Sequence, residues 1–209
     1  MNEWLKKGKR KLKGLFIVIE GIDGAGKTTQ SKLLQKELNK KGFKSIYTTE
    51  PSKGFIGKFL RETSFKGVKL NPEVETLLFS ADRFQHITYE VTPNLNKGKI
   101  VVCDRYFYAS LAYQGAQGVD LGWIKTVNKF VIKPDLGIYL DVPVEVGLSR
   151  ISKRKKTVFE KIEIERKVRE IYLKLVKEKE LILVDGNKPI KDVNKEITDL
   201  TLNFIEKNK

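Results

Sequence analysis

Cysteine, histidine and methionine are nearly absent from this chain, with one of each among 209 residues. The lone Cys103 lies inside the apolar run "KIVVCDR", so there is no disulfide framework and no cysteine-based zinc site. With His86 the single histidine, a histidine-based triad or metal cluster has no material to be built from. No apolar stretch approaches the roughly 18–20 residues of a membrane span. The basic opening "MNEWLKKGKRKLKG" is followed by only about five apolar residues, too few for a signal-peptide core. The expected setting is therefore cytoplasmic, away from membranes.

Positive charge is abundant: 41 Lys and Arg against 26 Asp and Glu give a formal charge of +15. One reading is a polyanionic partner such as nucleic acid. The other is a Lys/Glu-rich solvated surface of the heat-adapted kind with a basic tail added. The alternation in "EKIEIERKVREIYLKLVKEKE" favours the surface reading. Residues 1–13 are expected to be a disordered basic extension. Residues 14–209 are of a length that suits one domain with its own core.

Short apolar runs alternate with helical spacing along that domain. "GLFIVIEG" (14–21), "KSIYTTEP" (44–51), "KIVVCDR" (99–105), "DLGIYLDVP" (135–143) and "ELILVDG" (180–186) read as strands. Residues 27–42, 55–66, 72–96, 107–133, 144–154, 160–179 and 190–207 read wholly or mostly as helices, with Pro72 in a first turn, where its missing N–H is harmless. The pattern predicts an α/β protein with a parallel five-stranded sheet covered by helices on both faces. Ligands in such sheets bind beyond the carboxyl ends of the strands.

"GIDGAGKTTQ" (21–30) joins the first strand to the first helix and satisfies G-x-x-x-x-G-K-[ST] through Gly21, Gly26, Lys27 and Thr28. Its glycines let the backbone curl so that N–H groups converge on phosphate oxygens, and the helix end adds positive potential. Gly21, Ile22, Asp23, Gly24, Ala25, Gly26, Lys27, Thr28 and Thr29 are thus candidates for binding ATP. Lys27 is suited to the β- and γ-phosphates and the Thr28 hydroxyl to Mg²⁺. Guanine specificity is not supported: "NKGK" and "NKPI" both lack the aspartate of N-K-x-D.

Asp104 ends an apolar strand and Arg105 follows it. Asp104 is placed to hold Mg²⁺, and Arg105 can fork onto a second phosphate. Asp141, ending the next strand, rivals Asp104 for the metal. An aromatic and an arginine at i, i+4, as Phe79 and Arg83 are, share a helix face and can grip one flat base.

"DRYFYASLAYQG" (104–115), "LLFSADR" (77–83) and Asp23 within the loop together resemble thymidylate kinase, a P-loop nucleoside monophosphate kinase, over residues 16 to 205. The resemblance implies a P-loop NTPase fold that transfers the ATP γ-phosphate to dTMP with Mg²⁺, and a homodimer formed through helices in the 55–130 region. It implies that Phe79 stacks on thymine, that Arg83 donates to a base carbonyl, and that Ser110 and Gln114 meet the pyrimidine's polar edge. Tyr113 would crowd the sugar 2′ position and Asp23 would take the 3′-hydroxyl. Arg105 and Arg61 would hold the acceptor phosphate, with Glu50 nearby. Asn187, in "VDGNKP", falls in the loop around adenine. "SRISKRKKTVFEK" (149–161) corresponds to a basic lid over ATP. Some relatives carry an arginine in the loop where this chain has Gly24, so the lid must supply the transition-state cation. Arg154 and then Arg150 are the candidates, with Arg150 also able to stack on adenine.

Three departures stand out: Thr49 where many relatives have arginine before "EP", Ala109 where many have serine, and "TVFE" for "DRFE" in the lid. Two rival functions are a kinase of the same fold for deoxynucleosides, dUMP or UMP, and an ATP-switched nucleic-acid binder using "KKGKRKLKG" (6–14). The kinase reading requires neither nucleic acid nor membrane as a partner.

Overall fold

In the computed structural model the described residues are 14–151 and 158–208. The basic extension (1–13), and Lys153, Arg154, Lys155 and Lys156 of the expected lid, lie outside them. Five strands form one parallel sheet: β1 (Leu15–Glu20), β2 (Ser45–Thr49), β3 (Ile100–Asp104), β4 (Leu136–Asp141) and β5 (Ile182–Asp185). Their order is β2-β3-β1-β4-β5. β1 and β3 are buried along nearly their whole length, which explains why both read as unbroken apolar runs rather than alternating ones.

The helices are α1 (Lys27–Lys40), α2 (Phe55–Phe65), α3 (Pro72–His86), α4 (Thr92–Asn96), α5 (Phe107–Ala116), α6 (Leu121–Val127), α7 (Val144–Ile151), α8 (Val158–Lys177) and α9 (Ile190–Lys207). Right-handed crossovers sort them onto two faces. The chain moves one way across the sheet from β1 to β2, and the opposite way from β3 to β4 and from β4 to β5. Accordingly α1 packs with α9, while α3 and α8 pack on α5. Among the described residues no helix is long and apolar enough to cross a membrane.

Residues 72–96, expected as one helix, are three pieces. α3 gives way to a π-helical turn (Ile87–Val91) before α4 resumes. Pro93 accounts for the break, because it supplies no N–H to the helical ladder and its ring crowds the preceding turn. At the other end, the side chain of Asn71 caps α3 by accepting from the Glu73 N–H, and Pro72 occupies the first turn.

One close approach fixes the glycine-rich loop. Gly24 has φ +77°, and a Cβ there would lie 1.9 Å from the Gly147 carbonyl oxygen in α7. A Cβ on Gly147 would in turn lie 2.6 Å from the Asp23 carbonyl oxygen. Loop and helix thus meet backbone to backbone, and no side chain fits at position 24 while α7 sits there. Glycine to alanine inside a helix ordinarily stabilises by up to about 1 kcal/mol. For Gly147→Ala the sign should reverse, to a loss of about 1–3 kcal/mol from overpacking, read as a lower urea midpoint at unchanged slope.

Candidate active site

The register of the central strands assembles the site. Ile19 pairs with Asp104, and Asp104 with Thr49, so β1, β2 and β3 end at one level. Beyond that edge lies a cavity of about 640 Å³ lined by the loop from Asp23 to Thr28 together with Glu50, Asp104, Arg105 and Arg150. Its size suits a nucleotide-sized ligand. It opens beside the point where the strand order reverses, as expected for an open α/β sheet.

Gly26 caps α1 in a left-handed conformation (φ +94°) and Gly24 is left-handed as well. The Lys27 ammonium donates to the Ile22 carbonyl at 2.7 Å. Lys27 is almost wholly buried, and its pKa is lowered to about 7, first by burial and then by the charge of Arg105. Bound phosphate would reverse that penalty by supplying a counter-charge. The Thr28 hydroxyl donates to Asp104 Oδ2 at 2.5 Å. Among the described residues the other carboxylate oxygen of Asp104 is buried without a hydrogen-bond partner. A buried orphan acceptor of this kind calls for a ligand. Asp141, the rival carboxylate, is instead held by Arg169 through two bonds of 2.8 Å, and it does not line the cavity.

Arg105 takes up a left-handed conformation with φ +70°. A non-glycine residue pays about 1–3 kcal/mol for this, a kind of strain that clusters at functional sites. Its guanidinium donates to Asp23 Oδ1 and lies 4.9 Å from the centre of the Tyr113 ring. The Tyr113 hydroxyl donates to Asp23 at 3.2 Å and lies 3.4 Å from the buried Glu165 of α8. Asp23, Arg105, Tyr113 and Glu165 therefore form one cluster at the loop's rim.

A second group gathers where α3 meets α5. Phe79 is half-buried, one turn before the fully buried Arg83. Arg83 donates from Nε to Glu50, from one terminal nitrogen to Asn128 and from the other to the Ser110 hydroxyl. Gln114 donates to Glu75. None of Phe79, Arg83, Ser110, Tyr113 and Gln114 lines the 640 Å³ cavity. Arg83 and, through it, Ser110 are joined to the cavity by Glu50, and Tyr113 is joined to it by Arg105.

Arg61 is exposed and donates to the carbonyls of Pro51 and Ser52. Arg150, also exposed, lies 3.3 Å from the Gly24 carbonyl. Asn187 is exposed, and its neighbours Gly186 and Lys188, rather than Asn187 itself, line the cavity.

The sequence did not single out Glu20, His86, Asn128 or Glu165. His86 lies three residues after Arg83 on the same helix face, and both reach Glu50: its Nδ1 is 3.1 Å from Glu50 Oε1. Its Nε2 lies 2.7 Å from the Thr48 hydroxyl and 3.5 Å from Glu90. Burial alone would lower the pKa of His86. Hydrogen bonds to Glu50 and Glu90 outweigh it and raise the pKa to about 9.

The family model described as thymidylate kinase matches residues 19–197. Among curated proteins, one from Thermococcus gammatolerans named "Probable thymidylate kinase" is 46% identical over 198 residues, covering 90% of this chain and 95% of that one. A Pyrococcus horikoshii protein of the same name is 47% identical, over 90% of this chain and 96% of its own length. A third, from Methanocaldococcus jannaschii, is 42% identical over 88% and 93%.

His86 makes stability depend on pH with a defined sign. Its folded pKa of about 9 lies above the ordinary 6.5, so its contribution is complete below pH 6.5 and is lost as pH rises through 9. Lys27, with its pKa lowered, tilts the profile the other way. The difference between the wild type and His86→Gln isolates the histidine. That difference should shrink by about 1–3 kcal/mol between pH 6.5 and 9, measured by denaturant titration across that range.

Proposed function

This chain belongs to the thymidylate kinase family, and from that premise we propose that it transfers the γ-phosphoryl group of ATP to the phosphate of dTMP, giving dTDP and ADP for dTTP synthesis. The observation that carries the reading is the meeting of two cationic groups in one cavity. Lys27 and the loop amides come from the end of β1, and Arg105 from the end of its neighbour β3. The first suits a triphosphate and the second a monophosphate facing it.

In this reading Gly21, Ile22, Asp23, Gly24, Ala25, Gly26, Lys27, Thr28 and Thr29 bind the donor phosphates. Arg150, with the loop at Asn187, flanks adenine. Arg105, together with Arg61, holds the acceptor phosphate. Phe79 stacks on thymine, while Arg83, Ser110 and Gln114 meet its polar edge. Tyr113 crowds the sugar 2′ position and Asp23 takes the 3′-hydroxyl. The attacking phosphate oxygen is already ionised, so no strong general base is required. Catalysis then rests on alignment and on electrostatic stabilisation.

Mg²⁺ fits the oxygen donors at the cavity floor, the Thr28 hydroxyl and the orphaned Asp104 carboxylate oxygen. When bound it would neutralise charge on the donor phosphates. Glu50 sits beside this pair on the cavity wall. Its carboxylate is committed to Arg83 and His86, which favours a role in orienting Arg83. Because Gly24 has no room for a side chain, the cation for the transferring phosphoryl group comes from the lid, Arg154 first, or from Arg150 in the last turn of α7 second.

A homodimer is part of the proposal. α2 and α3 leave Phe55, Phe59, Val74 and Leu77 exposed, Phe55 at 80%, an apolar set suited to a second copy.

The test is ADP release measured across dTMP, dUMP and UMP. Lys27→Ala should lower kcat about 10²–10³-fold. Arg105→Ala should raise the KM for dTMP at least about tenfold, the worth of a charge-assisted hydrogen bond. Tyr113→Ala should narrow the preference for dTMP over UMP. Equal wild-type rates with dTMP and UMP would contradict the assignment of Tyr113. For the dimer, sedimentation of a Phe55→Glu, Leu77→Glu double variant should show monomers where the wild type shows dimers.

A further inference from the structure

The conformation of Arg105 poses a question that its phosphate-binding role does not answer. Nothing in its own sequence neighbourhood favours a left-handed turn: Asp104, Arg105 and Tyr106 all carry Cβ atoms, and the strain must be held from outside. The Asp104 carbonyl accepts from Glu50 and Thr49 and the Arg105 carbonyl from the Cys103 thiol, and two further hydrogen bonds hold the turn from the end of β1. The Arg105 N–H donates to the Ile19 carbonyl at 3.0 Å, continuing the ladder of the β1–β3 pair. The next N–H, that of Tyr106, cannot continue that ladder once the chain has turned. It donates instead to the side chain of Glu20, Oε1, at 2.8 Å.

Glu20 is fully buried and is the last residue of β1. Its second oxygen accepts from the Tyr172 hydroxyl of α8 at 2.9 Å. The Tyr172 ring is in turn stacked on Tyr139 of β4, with centroids 4.8 Å apart. The carboxylate is thus clamped at both oxygens, one facing the turn and the other facing α8. A buried acid is costly unless it is fully bonded. Burial raises the Glu20 pKa to about 7, while its bonds to Tyr172 and the Tyr106 N–H and the charges of Arg105 and Lys27 oppose that rise.

We propose that Glu20 is a positioning residue for Arg105: by accepting the Tyr106 N–H it locks the turn after β3 and aims the guanidinium at the acceptor phosphate, with Tyr172 orienting the Glu20 carboxylate. The inference rests on the reading of Arg105 as the acceptor-phosphate clamp. Glu20 touches neither nucleotide. Its effect is on where Arg105 points, so loss should appear in dTMP affinity and spare ATP.

The experiment measures dTMP and ATP binding by calorimetry, with the KM for each, on the full chain. Glu20→Ala should weaken dTMP binding about tenfold while ATP binding stays within about twofold. Glu20→Gln retains an acceptor for the Tyr106 N–H and should recover to within about threefold of wild type. Tyr172→Phe removes only the hydroxyl and should give a smaller dTMP-specific loss of about threefold, which keeps the test decisive if the alanine variant does not fold. In an Arg105→Ala background, Tyr172→Phe and Glu20→Ala should cost no further dTMP affinity.

Equal losses for both nucleotides, a silent Tyr172→Phe, or losses that add to that of Arg105→Ala would overturn the inference. If Arg105→Ala itself leaves dTMP binding intact, the clamp reading fails first, which is a separate result.

Discussion

The parallel pairing of β1 with β3 governs where every charged group of the site can stand. Ile19 opposite Asp104 sets the ends of the two strands at one level. The glycine-rich loop leaves from one strand end and the Asp104–Arg105 turn from the other. A parallel ladder fixes this register through evenly spaced hydrogen bonds, and both strands are packed too closely on their two faces for a slip, which would exchange every side chain between the two cores. Because β3 precedes β1 in the sheet while following it in sequence, the helices leaving the two strands go to opposite faces. That opens the crevice between them. The site is a consequence of topology before it is a matter of any side chain.

Such a crevice gathers charge in a place with little water. Lys27, Asp104, Glu20, Glu50 and Arg83 are each more than nine-tenths buried, and an isolated buried charge is costly. The chain meets that cost by pairing three of them: Arg83 with Glu50, Glu50 also with His86, and Glu20 with a tyrosine hydroxyl and a backbone amide. Two groups stay poorly matched. Among the described residues the Lys27 ammonium bonds a carbonyl and has its pKa held down at about 7, first by burial, and one oxygen of Asp104 has no hydrogen-bond partner. A cation short of negative charge and a carboxylate short of a donor or metal are complementary to a phosphate chain that carries its own cation. The unsatisfied groups therefore lie where the ligand would complete them, and the satisfied ones act as scaffold.

Much of this was legible in the residues, for physical reasons that can be named. The five strands show because parallel strands buried on both faces leave unbroken apolar runs. The phosphate loop shows because three of its φ angles, at Gly21, Gly24 and Gly26, are positive, and glycine adopts these most readily. Asp104 and Arg105 show as charges at the end of an apolar run. The buried partners were not legible. Asn128 reaches Arg83 across 45 residues and Tyr172 reaches Glu20 across 152, and neither carries any periodic signature. Glu20 was visible as an acid ending β1 but reads as an ordinary strand terminus until its hydrogen bonds are seen. The split of residues 72–96 was hidden because their apolar spacing is continuous, and only Pro93 marks the π-helical turn.

Close packing of the loop also limits how the site can supply its last cation. A side chain at position 24 would strike the backbone of α7, so this chain cannot carry an arginine inside the loop without moving that helix. The same contact places the end of α7, with Arg150 at its last turn, directly over the loop, 3.3 Å from the Gly24 carbonyl. The end of α7 is therefore a support already registered against the phosphate site. The two glycines that exclude a side chain from the loop let α7 lie against it, and in the proposed reading this thinner loop with a helix laid on it replaces a loop that carries the charge itself.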